Sequence, residues 1–198
     1  MEEIDDLRMR WDSTQVQKLS KALGSGSPCS PYGKTSRGYD DFRGFELSVF
    51  FKSVEITKVD FSYSKKARVG QFVFSTIKDS LFDAVDFPSN LGSHFTHCSF
   101  KKASLKGAVL RGKFDHCDFS NANLAGSIGS EVVFVDCDFS RASLRKASFT
   151  HCRFENCSFE GTKFGSGSVA GSEFISGFPE HSTLGNTLVN GAVGLSGA

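Results

Sequence analysis

From Phe114 onward the chain places an apolar residue, or a glycine in its stead, at every fifth position. The series runs Phe114, Phe119, Leu124, Gly129, Phe134, Phe139, Leu144, Phe149, Phe154, Phe159, Phe164, Val169 and Phe174. An earlier series, one step out of phase, runs Phe95, Phe100, Leu105 and Leu110. Two residues before each of these stands a second, mostly small side chain, among them Cys98, Ala103, Cys117, Ala122, Cys137, Ala142 and Cys157. A helix repeats its buried face about every 3.6 residues and a half-buried strand every second residue. Neither yields a step of five. A large and a small apolar slot in each unit suit a coil whose wall turns a corner every five residues. Four such walls close a square coil of 20 residues. The large slot fills the lumen and the small one fits near a corner.

Upstream the pattern is looser. Phe42 and Leu47, then Phe51, Ile56 and Phe61, then Phe72, Ile77, Phe82 and Phe87 keep the step with slips between groups. Slips such as the four-residue step from Leu110 to Phe114 mark one-residue deletions or small bulges at corners. The coil is therefore expected over 42–174, regular from 93, after an N-terminal cap helix and loop over 1–41. Stacked like strands at ~4.8 Å, six or seven coils would make a rod roughly 30 Å long. Asp12 and Ser13 are good N-caps, and Val16, Leu19 and Leu23 form one stripe that would cover the first coil together with Trp11. Residues 24–35 read as a loop. Residues 175–198 read as a weak last coil or a flexible tail. The stretches 62–70 and 88–94 break the step and read as projecting loops.

The units "ANLAG" (122–126), "CDFSN" (117–121), "CDFSR" (137–141), "ASLRK" (142–146) and "ASFTH" (147–151) resemble the pentapeptide-repeat family, whose unit reads A-[DN]-L-x-x. The resemblance covers 93–174 closely. It implies an all-β fold, a right-handed quadrilateral β-helix or pentapeptide-repeat solenoid, here with a short N-terminal capping helix. The bias toward 21 phenylalanines against three tyrosines and one tryptophan fits one slot repeated many times.

The pairs His97-Cys98, His116-Cys117 and His151-Cys152 are the candidates for chemistry, because imidazole beside thiol builds zinc sites and cysteine hydrolases. At twenty residues per coil, and allowing for one deletion, Cys98, Cys117, Cys137 and Cys157 fall in one inward column beside Phe100, Phe119, Phe139 and Phe159. These eight are the expected structural core. Neighbouring side chains on an extended wall point to opposite faces, so each imidazole should face solvent while its sulfur is buried. The outward column His97, His116 and Asp136 could bind a transition metal, but reads as a solvated polar corner. No catalytic, cofactor or metal residue is assigned. "PCSPYGKT" (28–35) nearly spells a phosphate-binding loop, but Pro28 replaces the first glycine and no strand precedes it.

Charge narrows the function. The whole chain carries a formal net charge of +1, and residues 42–174 carry 17 basic and 14 acidic side chains, a net of +3. That balance calls for neither nucleic acid nor an anionic membrane. No run is apolar enough to span a bilayer, and Met1 to Arg10 lacks a signal-peptide core, so a cytoplasmic protein is expected. No G-x-S-x-G or H-E-x-x-H motif occurs and phenylalanines would fill the lumen, so a non-enzymatic protein is expected. Along the axis charge reads as banded: Lys101, Lys102, Lys106, Arg111 and Lys113, then acidic residues, then Arg141, Arg145, Lys146 and Arg153. Val133 and Val135, flanking inward Phe134, should face out as a small apolar patch. The candidate partner contacts are thus Val133, Val135, Lys101, Lys102, Lys106, Arg141 and Arg145. The leading expectation is a protein-binding scaffold of a bacterial cytoplasm, in an immunity or protection role against a toxin. The resemblance also implies an alternative, a DNA gyrase or topoisomerase partner conferring resistance to quinolones or peptide poisons. A DNA mimic should be strongly acidic, and this chain is not. Family members often form homodimers, so a homodimer is possible.

Overall fold

The computed structural model describes residues 3–25, 29–47, 50–64, 71–87 and 90–195. Within them nearly all strand pairing is parallel, with partners 18 to 21 residues apart, as in Phe51↔Phe72, Ile77↔Phe95, Phe114↔Phe134 and Phe134↔Phe154. The result is a β-solenoid of about six turns. Each wall is a triplet facing in, out and in, followed in the regular coils by two corner residues. The first wall carries Ser99, Asp118, Asp138 and Ser158 as its outward column, and the second carries Ser104, Asn123, Ser143 and Lys163. The third stacks Ile128–Ser130 on Ser148–Thr150, and the fourth stacks Val133–Val135 on Arg153–Glu155 and Glu173–Ile175.

The lumen explains the phenylalanine bias. Phe82, Phe100, Phe119, Phe139 and Phe159 form one column with successive ring centroids 5.0, 4.9, 5.0 and 5.4 Å apart. Phe95, Phe114, Phe134, Phe154 and Phe174 form a second at 5.1, 5.3, 5.0 and 4.8 Å. These spacings are the strand repeat, about 4.8 Å, so a flat ring stacks on its equivalent in the next coil without leaving the wall. The columns meet edge to face, as in Phe114 against Phe119 at 65°, and each aromatic pair adds about 0.5–1.5 kcal/mol beyond its buried area. Gly129 interrupts the large slot because Phe149 already fills that space: a Cβ there would lie 2.6 Å from the Phe149 ring.

The corners explain the polar residues of the repeat. Asp118 Oδ1 accepts a hydrogen bond from Ser120 N at 2.9 Å, Asn123 Oδ1 from Ala125 N at 3.1 Å and Asp138 Oδ1 from Ser140 N at 2.7 Å. The carboxylate or amide of each unit therefore closes its own turn. The second corner residue takes a positive φ, and in the corner between the fourth and first walls His97, His116, Asp136 and Asn156 adopt φ of 50–53°. Histidine, aspartate and asparagine tolerate that region better than most side chains.

Two expectations are corrected. Residues 90–94 are not part of a projecting loop: Asn90–Thr96 is a strand paired on both sides. Leu91, Ser93 and Phe95 alternate inward there, a strand rhythm that the five-residue step masked. Pro88 and Ser89 lie outside the described residues, as do 65–70 of the other expected loop, whose first residues form an ordinary corner at Ser62 and Tyr63. The cap holds two helices, α1 (Ile4–Met9) and α2 (Ser13–Gly24), where the sequence pattern indicated one.

Asp12 starts α2 with a full capping box to Gln15. Leu23 is fully buried, and Val16 and Leu19 pack against the core. Trp11 stacks on Phe42 at 5.7 Å and meets Phe45 edge-on at 5.0 Å, sealing the first coil. At the other end, Leu184 in the short helix α3 (His181–Leu184) is buried. Bridges Ser168↔Leu188 and Glu173↔Val193 begin one more coil. Among the described residues no helix is long and apolar enough to cross a membrane.

Candidate partner-binding surfaces

The five cysteines of the coil lie inside. Cys98, Cys117, Cys137 and Cys157 are at most 2% exposed. Each Sγ donates to a carbonyl of the preceding coil: those of Ile77, Phe95, Phe114 and Phe134 in turn. Phe100, Phe119, Phe139 and Phe159 are buried beside them. Desolvation, with hydrogen bonds to the sulfurs of Cys137 and Cys98, holds the Cys117 thiol well above its ordinary value, and burial pushes Cys152 up to about 11. Such thiols are poor nucleophiles. The histidines do face solvent, but the reason differs from wall alternation: they occupy left-handed corner positions. Asparagine, which shares that preference, is therefore a milder replacement for His116 than alanine.

The five basic candidates converge on one wall. Lys101 and Lys102 occupy one edge of the second wall and Lys106 the other; two coils on, Arg141 takes the first edge and Arg145 the second. All five are exposed. Lys101 is bound to Asp118 at 2.9 Å, whereas Lys102, Lys106, Arg141 and Arg145 make no ion pair among the described residues. Between the edges runs a flat polar column, Ser104, Asn123 and Ser143, ending in Lys163. The banding read along the sequence is thus in part a division by wall, although Asp86 begins the second wall's outward column and Glu160 stands beside Arg141 at its edge. Asp118 and Asp138 belong to the first wall, where they close corners, and the free cations rim the second.

Val133 and Val135 do not form an open apolar patch. Both are half-buried on the fourth wall. Val133 sits in register between Lys113 and Arg153, and Val135 between Asp115 and Glu155. Lys113 binds Asp115 at 2.6 Å, and Arg153 binds Glu155 at 3.2 Å and Glu173 at 3.1 Å. Long charged side chains flank the valines on both sides.

One surface was missed. Between the third and fourth walls, two successive coils lose one of their two corner residues. The strands Asn90–Thr96 and Val109–Asp115 run straight through with only Gly92 and Arg111 at the bend. The coil before them keeps both corner residues, Val73 and Phe74. The missing residues leave a notch of about 480 Å³ lined by Phe74, Thr76, Asn90, Gly92, His94 and Arg111. The lumen is filled with rings, but this corner is open. Phe74 is 78% exposed with φ 51°, a conformation a bulky residue rarely adopts. Gly112 takes φ 85°, and a Cβ there would lie 2.6 Å from Ser93 O. The four-residue step from Leu110 to Phe114 was the visible signal; its meaning required knowing which coils stack.

Replacing Phe74 by glycine should stabilise the fold by about 0.5–1 kcal/mol, because the left-handed backbone costs glycine nothing. A urea titration tests this. Destabilisation would mean that the ring packs on the notch more firmly than its exposure indicates.

No curated protein sequence matches the chain. Among solved structures, full-length QnrB1, a plasmid-mediated fluoroquinolone resistance protein, is 14% identical and covers 79% of this chain and 81% of its own, with a TM-score of 0.47. HetL, a pentapeptide repeat protein involved in heterocyst differentiation regulation from the cyanobacterium Nostoc sp. strain PCC 7120, is 14% identical. It covers 73% and 79% of the two chains, with a TM-score of 0.32. The pentapeptide repeat protein Rfr23 from the cyanobacterium Cyanothece 51142 is 13% identical over 78% and 85%, with a TM-score of 0.27. Residues 108–191 match the family model described as a pentapeptide repeat region. This region, with its inward large and small slots and its corner-closing carboxylates, is what the chain shares with the pentapeptide-repeat family.

Proposed function

We propose that this protein is a non-catalytic protein-binding scaffold with an immunity or protection role, in which the rod occludes a toxin or shields the toxin's target. The observation that carries this reading is the second wall: a flat polar surface held rigid by coil stacking and rimmed by free cations on both edges. The lumen beside it is filled with stacked rings and offers a small substrate no interior site. A surface of this kind suits a flat partner face of acidic character, with charge setting encounter rate and register more than bulk affinity.

The test is capture from extract of the native cell by immobilised wild-type protein and by the triple variant Lys102→Glu, Arg141→Glu, Arg145→Glu. The wild type should retain a specific protein, and the variant should bind it at least about tenfold more weakly, mainly through slower association. Equal capture by both would remove the second wall from the interface. A DNA gyrase or topoisomerase partner is the second reading, suggested by the family resemblance and opposed by the mixed charge of the rod. A supercoiling assay titrated with the protein, with and without a quinolone, separates the two: protection would favour the topoisomerase.

A further inference from the structure

The corner between the fourth and first walls brings Asp115, His116 and Asp136 together on the surface, with one ligand atom of each within 4.8 Å of the others. His116 Nδ1 donates to Asp115 Oδ1 at 2.6 Å, and Lys113 Nζ holds the same carboxylate at 2.6 Å. With Nδ1 so engaged, Nε2 is the free nitrogen, and it faces Asp136 Oδ2 across 3.6 Å. That gap is too long for a hydrogen bond. It is close to the roughly 3.4 Å that separates two ligands on a tetrahedral zinc ion with bonds near 2.0–2.1 Å. A carboxylate behind the imidazole is also the usual second partner of a metal-bound histidine, fixing its tautomer and raising its basicity. Both positions are held by the coil backbone: His116 N donates to Val135 O at 2.9 Å and Asp136 N to Glu155 O at 2.8 Å. On the preceding coil, the His97 ring lies 4.7 Å from that of His116, on the side away from Asp136.

We propose that His116 and Asp136 form a surface site for one divalent transition-metal ion, with Asp115 as the residue that orients the imidazole. Nε2 and the Asp136 carboxylate are the protein ligands, and water completes the coordination. His97 flanks the site without entering it. The site lies apart from the cation-rimmed second wall, so the proposal stands whether or not that wall binds a partner.

The test is calorimetric titration with zinc chloride alone, in a buffer that does not chelate metals. The background is Cys29→Ser, because Cys29 is exposed and would compete as a thiolate. One ion per chain is expected. His116→Asn and Asp136→Asn keep residues that tolerate the left-handed corner, so matched thermal melts are expected, and each should weaken binding at least tenfold. Asp115→Asn should weaken it about tenfold through the lost orienting bond, and His97→Ala should leave it unchanged. No binding to the Cys29→Ser protein, or equal binding by His116→Asn, would overturn the proposal. Binding lost in His97→Ala but kept in Asp136→Asn would overturn the ligand assignment in favour of the imidazole pair.

Discussion

Phe119→Ala should destabilise the rod by about 3–5 kcal/mol. The ring is fully buried and lies between Phe100 at 4.9 Å and Phe139 at 5.0 Å, both within 4° of parallel. It also meets Phe114 at 5.5 Å and Phe134 at 6.2 Å from the second column. Truncation removes the transfer energy of the ring and leaves a cavity that the neighbours cannot close, because each is fixed by its own stack. A solenoid is held by nearest-neighbour interfaces, so the loss falls at mid-rod, where it uncouples the coils on either side. Urea denaturation should show a lower midpoint and, if the halves then melt separately, a shallower slope. His116→Asn, three residues away on the exposed corner, should change stability by no more than about 0.5 kcal/mol. Normal stability of Phe119→Ala would contradict the column assignment.

Removing the carboxylate of Asp41 is the second large effect, expected at about 3–5 kcal/mol for Asp41→Ala. Asp41 is buried where the cap meets the first coil. It binds Arg10 Nη2 at 2.6 Å and Arg43 Nη2 at 2.8 Å, and accepts a bond from Arg43 N at 3.1 Å. Arg10 in turn lies over the Tyr32 ring at 4.2 Å and donates to Arg43 O at 3.0 Å. Without the carboxylate, the Arg10 guanidinium, only 15% exposed, loses its ion-pair partner beside the positive charge of Arg43. Trp11, the single tryptophan, stacks on Phe42 next to this cluster, so its fluorescence should shift to the red as the cap loosens. An unchanged melting curve with unshifted Trp11 emission would show that the cap is held by its apolar stripe alone.

The same residue sets an acid limit. Burial by itself would raise the Asp41 carboxyl, but hydrogen bonds from Arg43 and Arg10 outweigh it and hold its pKa far below the ordinary carboxylate range. A carboxylate depressed on folding contributes stability that is fully present above its unfolded pKa and is lost as pH falls toward its folded one. Stability should therefore decline from about pH 4 downward. In Asp41→Ala the part of that decline due to this group should be absent.

The step of five, the inward columns of phenylalanine and cysteine and the stripe of α2 were legible in the sequence. Each depends on which residues are apolar and how far apart they lie, and a repeating coil converts that spacing directly into position. Asp12 likewise marked the start of α2, because a cap is a local bond between residues three apart. The candidate surfaces were legible only in part. Lys101, Lys102, Lys106, Arg141 and Arg145 could be named, but their meeting on one wall depends on coil lengths that vary between 18 and 21 residues. The exposure of Val133 and Val135 was misjudged because their partners, Lys113 and Arg153 or Asp115 and Glu155, lie 20 residues away on either side.

By itself the sequence determined that the chain winds into a square coil, which side chains fill it and where one cap helix covers it, since burial of a periodic apolar pattern leaves few other solutions. Only the tertiary structure decided which charges share a wall, that two deletions align into a notch beneath Phe74, and that His116 Nε2 faces Asp136. Those are contacts between coils, set by register and by the number of residues each corner holds, and a change of one residue at a corner moves every neighbour beyond it.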